Sequence, residues 1–514
     1  MTTEKTHIGG FELNLTAKQK MRSGTIESDS PFCVAILGDF SNRANKASSP
    51  STSFGKQRIF EIDRDNFDDV IKSLAIRVQL LSFKATSSTI DFPITELEDF
   101  HPDQLYQHVG FFDKLRDLRE KLLDPATFNA AADEVSSWFS GKEEIATDTD
   151  DNLHNTESQT SLLDAVISSS EHNAAQIKTT TGSELVDELI KEAIADYRIP
   201  AVDARQQEFV AAVDEAIAAQ MRYILHHPQF QNIEAAWKAV YFLVRRLETG
   251  SRLKLFLIDI PKNELREDLS CNDLENTQLY KLLCDSPTGN IEWSLLMGNY
   301  TFSANMDDVH LLDKIGYIAQ SARTSFVAGA DPGLIHCTSF GEQNDPDDWQ
   351  QPISDEVEQA WQTLRGNPVA NHIALALPRF LLRMPYGKKF SPIESFDFDE
   401  MPAQAGHECY LWCNAAYAIT YLLAQAFVKS GWKMQPGEFY QIDDLPLYYY
   451  EEAGELVLKP CAEIIMTERA NTIISKQGLI PLWSIPGRDS VRISTFRSLA
   501  QSGDLIAGPW AYTQ

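Results

Sequence analysis

The closest grouping of metal-ligand side chains in this 514-residue sequence is His407, Cys409 and Cys413. Imidazole and thiolate groups within one or two helical turns can begin a zinc site, but no nearby second pair completes four ligands. Small apolar cysteines packed in a helix produce the same pattern. The pair His226-His227 precedes Pro228 at a predicted helix end, where histidine usually caps the helix or lies against carbonyl groups. We therefore predict no metal site from either group.

Paired carboxylates for acid–base chemistry are available at Asp307-Asp308 and at Asp443-Asp444. Both pairs lie at predicted turns or helix caps, where acidic residues are common without any catalytic role. The sequence has no GxxxxGK[ST] loop, no GxGxxG after a strand, no GxSxG and no HExxH. We predict no catalytic residue, no metal and no cofactor, and we expect a protein that is not an enzyme.

The stretch Ile373–Gly387, IALALPRFLLRMPYG, is the element around which the rest of the chain is expected to be organised. Its first part is an uncharged apolar run, which indicates a strand buried on both faces or a core helix segment; its length and flanking prolines favour the strand. Arg379 and Arg383 interrupt the apolar series. A buried guanidinium is costly unless it is paired, so both should meet carboxylates or backbone carbonyl groups.

Composition restricts the class of protein. The chain carries a formal charge of −29 with a pI near 4.7, which argues against nucleic acid and anionic membrane surfaces as partners. The N-terminus lacks the apolar region of a signal peptide, and the apolar helix predicted at 415–428 is too short to cross a bilayer. Seven scattered cysteines suggest reduced thiols and a cytoplasmic location.

The order of predicted elements indicates an α+β protein with several parts. Residues 1–30 are polar and read as a flexible arm, and 31–141 read as a small α+β domain. In this domain Phe32–Leu37 and Arg58–Ile62 are expected to be strands, followed by a helix that Asp63 caps. Residues 142–185 are expected to form an acidic linker, and 186–514 a larger mixed α/β domain.

Within the linker lies one short apolar island, Ser161–Ile167, with the sequence SLLDAVI. An amphipathic turn in a linker is often a docking peptide, although a turn buried in a core would have the same pattern. The residues alone do not decide between these alternatives.

Several stretches resemble the contractile sheath of bacterial type VI secretion systems. LGDFSNR (Leu37–Arg43) and RIFEIDRDNFDDVI (Arg58–Ile71) resemble the small sheath subunit, TssB or VipA. ILHHPQFQNIEAAWKAVYFLV (Ile224–Val244), ALPRFLLRMPYG (Ala376–Gly387) and ECYLWCNAAYA (Glu408–Ala418) resemble the large subunit, TssC or VipB. The chain therefore looks like a fusion of the two subunits. The family-motif residues carried over are Gly38, Asp39, Phe40, Asp65, Asn66, Phe67, Phe230, Trp237, Pro378, Arg379, Arg383, Pro385, Tyr386 and Trp412.

The resemblance implies a contractile-sheath-like fold and a structural function without catalysis. Sheath subunits polymerise into a helical tube around an inner tube protein, and contraction of the sheath propels that tube. The implied partners are other sheath subunits, the inner tube protein, the baseplate and a ClpV-type ATPase that disassembles the contracted sheath. The segment resembling the helix that this ATPase grips comprises Ser161, Leu162, Leu163, Asp164, Val166 and Ile167.

Against the family pattern, the large-subunit part is expected to lack the C-terminal segment that follows the GLIPL strand (Gly478–Leu482). This difference leaves an alternative function within the same class. The chain would then be an accessory or regulatory sheath-like protein that binds sheath or baseplate subunits without forming tubes itself.

Overall fold

The computed structural model describes residues 5–8, 11–14, 29–45, 59–81, 89–140, 206–271, 273–285, 291–401, 406–452 and 454–512. The predicted recognition segment, 161–167, and the predicted boundaries at 141–142 and 185–186 lie outside these residues.

Seventeen strands are present in the described residues. They are β1 (Lys5–Ile8), β2 (Phe11–Asn14), β3 (Phe32–Gly38), β4 (Ile59–Ile62), β5 (Ile76–Leu81), β6 (Thr89–Ile94), β7 (Leu253–Asp259), β8 (Trp293–Phe302), β9 (Ser325–Ala330), β10 (Ile373–Leu377), β11 (Phe380–Leu381), β12 (Trp412–Cys413), β13 (Gln441–Ile442), β14 (Tyr448–Glu452), β15 (Glu455–Lys459), β16 (Ile480–Ser484) and β17 (Val491–Ile493).

Nine of these strands form one mixed sheet in the order β13-β17-β16-β10-β9-β8-β3-β7-β4. The six strands from β16 to β7 are parallel to one another, whereas β4 at one edge and β17 and β13 at the other are antiparallel to their neighbours. Every residue of β10 is buried, as is every residue of β3. The buried strand predicted from the apolar run at Ile373 is confirmed, because a central parallel strand covered on both faces needs apolar side chains throughout.

The described residues contain twelve α-helices. They are α1 (Phe67–Leu74), α2 (Pro102–His108), α3 (Asp113–Leu123), α4 (Phe128–Ser140), α5 (Gln206–His226), α6 (Pro228–Arg246), α7 (Lys262–Asp268), α8 (Gln278–Tyr280), α9 (Met306–Ser321), α10 (Asp355–Gly366), α11 (Ala416–Ser430) and α12 (Glu468–Lys476).

Helices cover both faces of the sheet, so the core has two parts. Helices α1, α3, α5, α6 and α11 contribute to the core that contains Val34 and Ile36. Helices α9, α10 and α12 contribute to the core that contains Ala35 and Leu37. This alternation along β3 follows from the two-residue period of a strand. Together with the separate β5–β6 hairpin, it makes the protein α+β, as the sequence predicted.

The two parts predicted as successive domains share this sheet. Strand β3, from the first part, lies between β7 and β8 of the second part and is parallel to both. Strand β4 pairs antiparallel with the outer edge of β7. A strand in the middle of a sheet needs hydrogen bonds on both edges, so the first part contributes structure that the second part completes.

One local prediction differs from the structure. The helix expected to start at Asp63 begins at Phe67, because the Asp63 carboxylate accepts hydrogen bonds from the amides of Asp65 and Asn66 and forms a turn first. In the predicted flexible arm, β1 pairs with β2 as an antiparallel hairpin. Gly9-Gly10 separates these strands in the sequence, a dipeptide that favours tight hairpins.

No α-helix in the parts of the chain that the structure describes combines the length and the apolar character that a bilayer crossing requires.

Candidate functional site

The chain leaves β10 through a cis Leu377-Pro378 peptide bond and enters the segment that carries both arginines of the ALPRFLLRMPYG motif. Pro378 and Pro385 are buried at either end of this segment. Arg379 and Arg383 each meet two carboxylates, so the prediction that they would be paired is confirmed.

Arg383 is held between two buried glutamates. Its Nε lies 2.7 Å from Glu234 Oε1, and its Nη1 lies 2.7 Å from Glu400 Oε2. The Glu400 carboxylate also accepts a hydrogen bond from the Tyr386 amide at 2.7 Å. The exposed fractions are 11% for Arg383, 0% for Glu234 and 2% for Glu400. This geometry fixes helix α6 to the motif segment and to the loop that precedes residue 402.

Two further cations lie beside this group. Lys238 Nζ is 3.8 Å from Glu234 Oε1, and His226 Nε2 is 3.7 Å from Glu400 Oε1. Burial disfavours the charged imidazole, but the Cys409 thiol and the Glu400 carboxylate outweigh it and raise the pKa of His226 to about 9. Burial likewise opposes ionisation of Glu400, yet the charge of Arg383 lowers the pKa of Glu400 to about 2.

Arg379 forms a second, more exposed group. Its Nε lies 2.9 Å from Glu463 Oε1, and its Nη2 lies 3.0 Å from Glu408 Oε1. His407 Nε2 lies 3.1 Å from the same Glu463 oxygen. The His407 ring stacks on Trp412, with centroids 4.8 Å apart.

The predicted grouping of His407, Cys409 and Cys413 is not assembled as a metal site. Cys413 is buried in β12, where burial raises the pKa of its thiol well above the usual range, and Cys409 lies beside His226. His407 instead lies with Glu408 and Glu463, whose ligand atoms all fall within 4.8 Å of one another. The Arg379 guanidinium binds both of these carboxylates and already supplies the positive charge at this position.

The other candidate pairs have structural positions. His227 caps α6, because its Nδ1 accepts a hydrogen bond from the Gln229 amide at 3.2 Å. Asp308 lies in the first turn of α9 and pairs with Lys262 Nζ at 2.7 Å. The backbone carbonyl groups of Asp443 and Asp444 accept hydrogen bonds from Arg246.

The remaining motif residues lie where the two parts of the chain join. After β3, the amides of Phe40 and Ser41 donate to Asp259 Oδ1 at 2.8 and 3.0 Å. Arg43 Nε lies 3.2 Å from Asp259 Oδ2. Asp39 accepts hydrogen bonds from the amides of Arg43 and Ala44 and so closes the turn locally. The carboxylate of Asp259, at the end of β7, therefore organises the segment that follows β3.

Aromatic side chains add further contacts between the two parts of the chain. Trp237 of α6 donates a hydrogen bond from Nε1 to the Phe40 carbonyl oxygen at 3.0 Å. The Phe40 and Phe67 rings each lie with centroids 5.7 Å from the Trp237 ring. Phe230, about two turns before Trp237 on the same face of α6, packs edge-on against Phe100 with ring centroids 5.7 Å apart. The motif residues of the two parts thus form one contiguous buried contact.

Three motif residues make smaller contributions where the two parts of the chain meet. Asn66 precedes α1 and donates to the Glu61 carbonyl oxygen at 2.9 Å. Asp65 is exposed in the turn before it. Gly38 ends β3 at a position where a Cβ atom would lie 3.0 Å from the Cβ of Asn299, so the close approach of β8 favours glycine.

Sequence reasoning did not identify the acidic partners Glu234, Glu400, Glu463 and Asp259. The sequence does contain an indication for Glu234, because this residue lies on the apolar stripe of α6 between Phe230 and Trp237. An acidic residue at such a position needs a buried cation as its partner. Glu400 and Glu463 are distant in sequence from the arginines, and nothing local marks them.

Comparison with known families gives matches to both parts. Residues 207–500 match the VipB family, described as EvpB, tail sheath N-terminal domain. Residues 13–174 match the VipA family of type VI secretion systems.

Two curated relatives come from Pseudomonas aeruginosa. The type VI secretion system sheath protein TssC1 is 29% identical over 288 residues, covering 54% of this chain and 57% of that protein. The sheath protein TssB1 is 27% identical over 103 residues, covering 19% of this chain and 58% of that protein. The chain thus spans a little over half the length of each relative.

Proposed function

Because this chain belongs to the VipB tail sheath family and joins a TssB-like part to a TssC-like part, we propose that it builds a contractile sheath and contracts to propel an inner tube. The observation that carries this proposal is the position of β3 between β7 and β8. The TssB-like part supplies a central strand of the sheet of the TssC-like part, and we infer that the fused chain acts as one protomer rather than as two tethered subunits.

The proposed work is mechanical. Repeated head-to-tail interfaces between identical protomers generate helical tubes, and a change between two packings of such interfaces can release energy cooperatively. The buried arginine–glutamate group around Arg383 supports this role, because it connects α6, the motif segment and the loop before residue 402 within the protomer. Arg379 and Arg383 are each paired with two carboxylates of the same protomer, and we infer that the chain performs no catalysis.

The proposed partners are other sheath subunits, the inner tube protein, the baseplate and a ClpV-type ATPase, and the proposed location is the bacterial cytoplasm. For the ATPase, the proposed recognition segment is 161–167. We expect Leu163→Asp to abolish ATPase-driven disassembly of contracted sheaths, since it places a charge in the apolar turn. Unchanged disassembly rates would assign recognition to another segment.

Negative-stain electron microscopy of the purified chain, alone and with lysate of its source organism, tests the proposal. Tubes formed by the chain alone would support a self-sufficient sheath. Small particles that bind separate sheath or baseplate subunits would contradict self-assembly and favour the accessory function.

A further inference from the structure

A groove of about 630 Å³ lies on the surface where the two parts of the chain meet, and we call it the junction groove. Leu97, from the TssB-like part, lies on one side, and α6 contributes Lys238, Tyr241 and Arg245. The motif segment contributes Leu382 and Met384. Its volume falls within the range of about 300–1,000 Å³ that is typical of ligand-binding clefts.

The junction groove combines apolar surface with positive charge. Tyr241 is 39% exposed, and Leu382 and Met384 are partly exposed. Arg245 is exposed, and no ion pair is seen for its side chain among the described residues. More basic than acidic residues line the groove, in a chain with 74 acidic and 45 basic residues, and this excess of cations favours an acidic ligand. The basic lining residues are Lys238, Arg245, Arg246 and Arg383, and the acidic ones are Glu98 and Asp444.

The charge of Lys238 is incompletely balanced inside the protomer. The nearest carboxylate, Glu234, is 3.8 Å from Lys238 Nζ but only 2.7 Å from the Arg383 guanidinium. Burial lowers the pKa of Lys238 and the Arg383 charge adds to this shift, while the carboxylates of Glu234, Glu98 and Glu400 oppose it. An additional carboxylate in the groove would therefore stabilise the charged ammonium group.

The linker of the same chain has matching chemistry. Residues 142–181 contain eight acidic and two basic side chains around a single apolar island, Ser161–Ile167. In a helical turn, Leu162, Leu163 and Val166 would share one face, with Asp164 beside it. The residues before the island that the structure describes end at Ser140, and about twenty extended residues span roughly 70 Å, so the linker is long enough for the island to lie far from Ser140.

We propose that Ser161–Ile167 docks in the junction groove of its own chain, with its leucines against Tyr241 and Met384 and its acidic residues toward Lys238 and Arg245. The inference rests on the groove and the linker composition, and it stands or falls separately from recognition by an ATPase. Docking would hold the linker against both parts of the protomer and cover the groove.

Photo-crosslinking of the full chain tests this proposal. With p-benzoylphenylalanine in place of Leu163, cross-links are expected to peptides covering 238–246 and 381–386. Arg245→Glu should reduce their yield at least fivefold, and adding Asp164→Arg should restore at least half of it. The matched control Lys476→Glu makes the same charge change at an exposed residue of α12, on the opposite side of the sheet, and should leave the yield unchanged.

Cross-links that form elsewhere, or a yield unaffected by Arg245→Glu, would overturn the proposal. Mixing isotopically heavy and light chains separates the two sources of the ligand. Cross-links within one chain support docking in the same protomer, whereas heavy–light cross-links would assign the groove to a second copy and contradict it. Because Arg245 is exposed, its substitution is expected to leave the fold intact, which thermal unfolding of the variant checks.

Discussion

The indole nitrogen of Trp237 donates a hydrogen bond to the carbonyl oxygen of Phe40 across 3.0 Å, and it thereby joins the TssC-like part to the TssB-like part in the buried core. Both residues are 0% exposed. The same indole packs edge-on against Phe67. One side chain therefore contacts two motifs of the other part, and it supports a protomer in which the parts cannot separate without opening the core.

Replacement of Trp237 by phenylalanine should destabilise the protein by about 1–3 kcal/mol, because the buried Phe40 carbonyl group loses its donor. Chemical denaturation monitored by circular dichroism measures the change. Trp483→Phe is the matched control, since Trp483 Nε1 is buried and has no hydrogen-bond partner among the residues that the structure describes. We expect Trp483→Phe to lower the free energy of unfolding by less than Trp237→Phe does. Equal decreases for the two variants would contradict a role for the hydrogen bond.

Replacement of Arg383 by methionine should cost about 3–5 kcal/mol, because it leaves Glu234 and Glu400 buried without their main cation. Lys388→Met is the comparison, because Lys388 and Asp397 form an exposed pair with 69% and 68% of their side chains accessible. Lys388→Met should lower the free energy of unfolding by no more than about 1 kcal/mol. Equal midpoints of denaturation for the two variants would show that the buried pairs do not stabilise the protomer.

Stability should depend on pH through His226 and Glu400. The pKa of His226 is raised to about 9. The stabilisation that the charged imidazole gives to the folded protein is therefore fully present below about pH 6.5 and is lost as the pH rises through about 9. The pKa of Glu400 is lowered to about 2, so its contribution is complete above pH 4.5 and is lost as the pH falls through 2.

Both contributions are therefore complete between pH 4.5 and 6.5. Melting temperatures recorded from pH 5 to 10 should show an alkaline decline that is shallower in His226→Gln. A decline of the same steepness in the variant would exclude His226 as its source.

Replacement of Gly298 by alanine should destabilise the protein by about 1–3 kcal/mol through overpacking. A Cβ atom there would lie 2.7 Å from Phe326 Cζ and 2.8 Å from Tyr300 Cδ2. Gly366→Ala is the control, since nothing lies within 4 Å of its Cβ position, and a gain of about 0.4–1 kcal/mol is expected. Denaturation midpoints of both variants measure the contrast, and a neutral Gly298→Ala would show that β8 can shift.

Divalent metals should not stabilise the folded protein. The only group in the described residues that could supply three ligands, His407, Glu408 and Glu463, already holds the Arg379 guanidinium. Melting temperatures measured with zinc ions and with EDTA should agree within about 1 °C, since a ligand that does not bind the native state shifts nothing. A rise that depends on zinc concentration would reveal a site that displaces Arg379.

Much of the local structure was determined by the sequence alone. The apolar run at Ile373 forms a buried strand, and the strands predicted at Phe32–Leu37 and Arg58–Ile62 form β3 and β4. These features depend on neighbouring residues, so the hydrophobic period suffices to predict them. The helix start at Phe67 was missed because a turn at Asp63 competes with the cap.

Only the tertiary structure decided which residues meet. The sequence required partners for Arg379 and Arg383, because an unpaired guanidinium in a core is too costly. It did not identify Glu463, 84 residues from Arg379, or Glu234, 149 residues from Arg383. Likewise, the order of strands that places β3 between β7 and β8 depends on the packing of the whole sheet. Local propensity determines which helices and strands form. Which of them pack together depends on the burial of side chains from distant segments of the sequence.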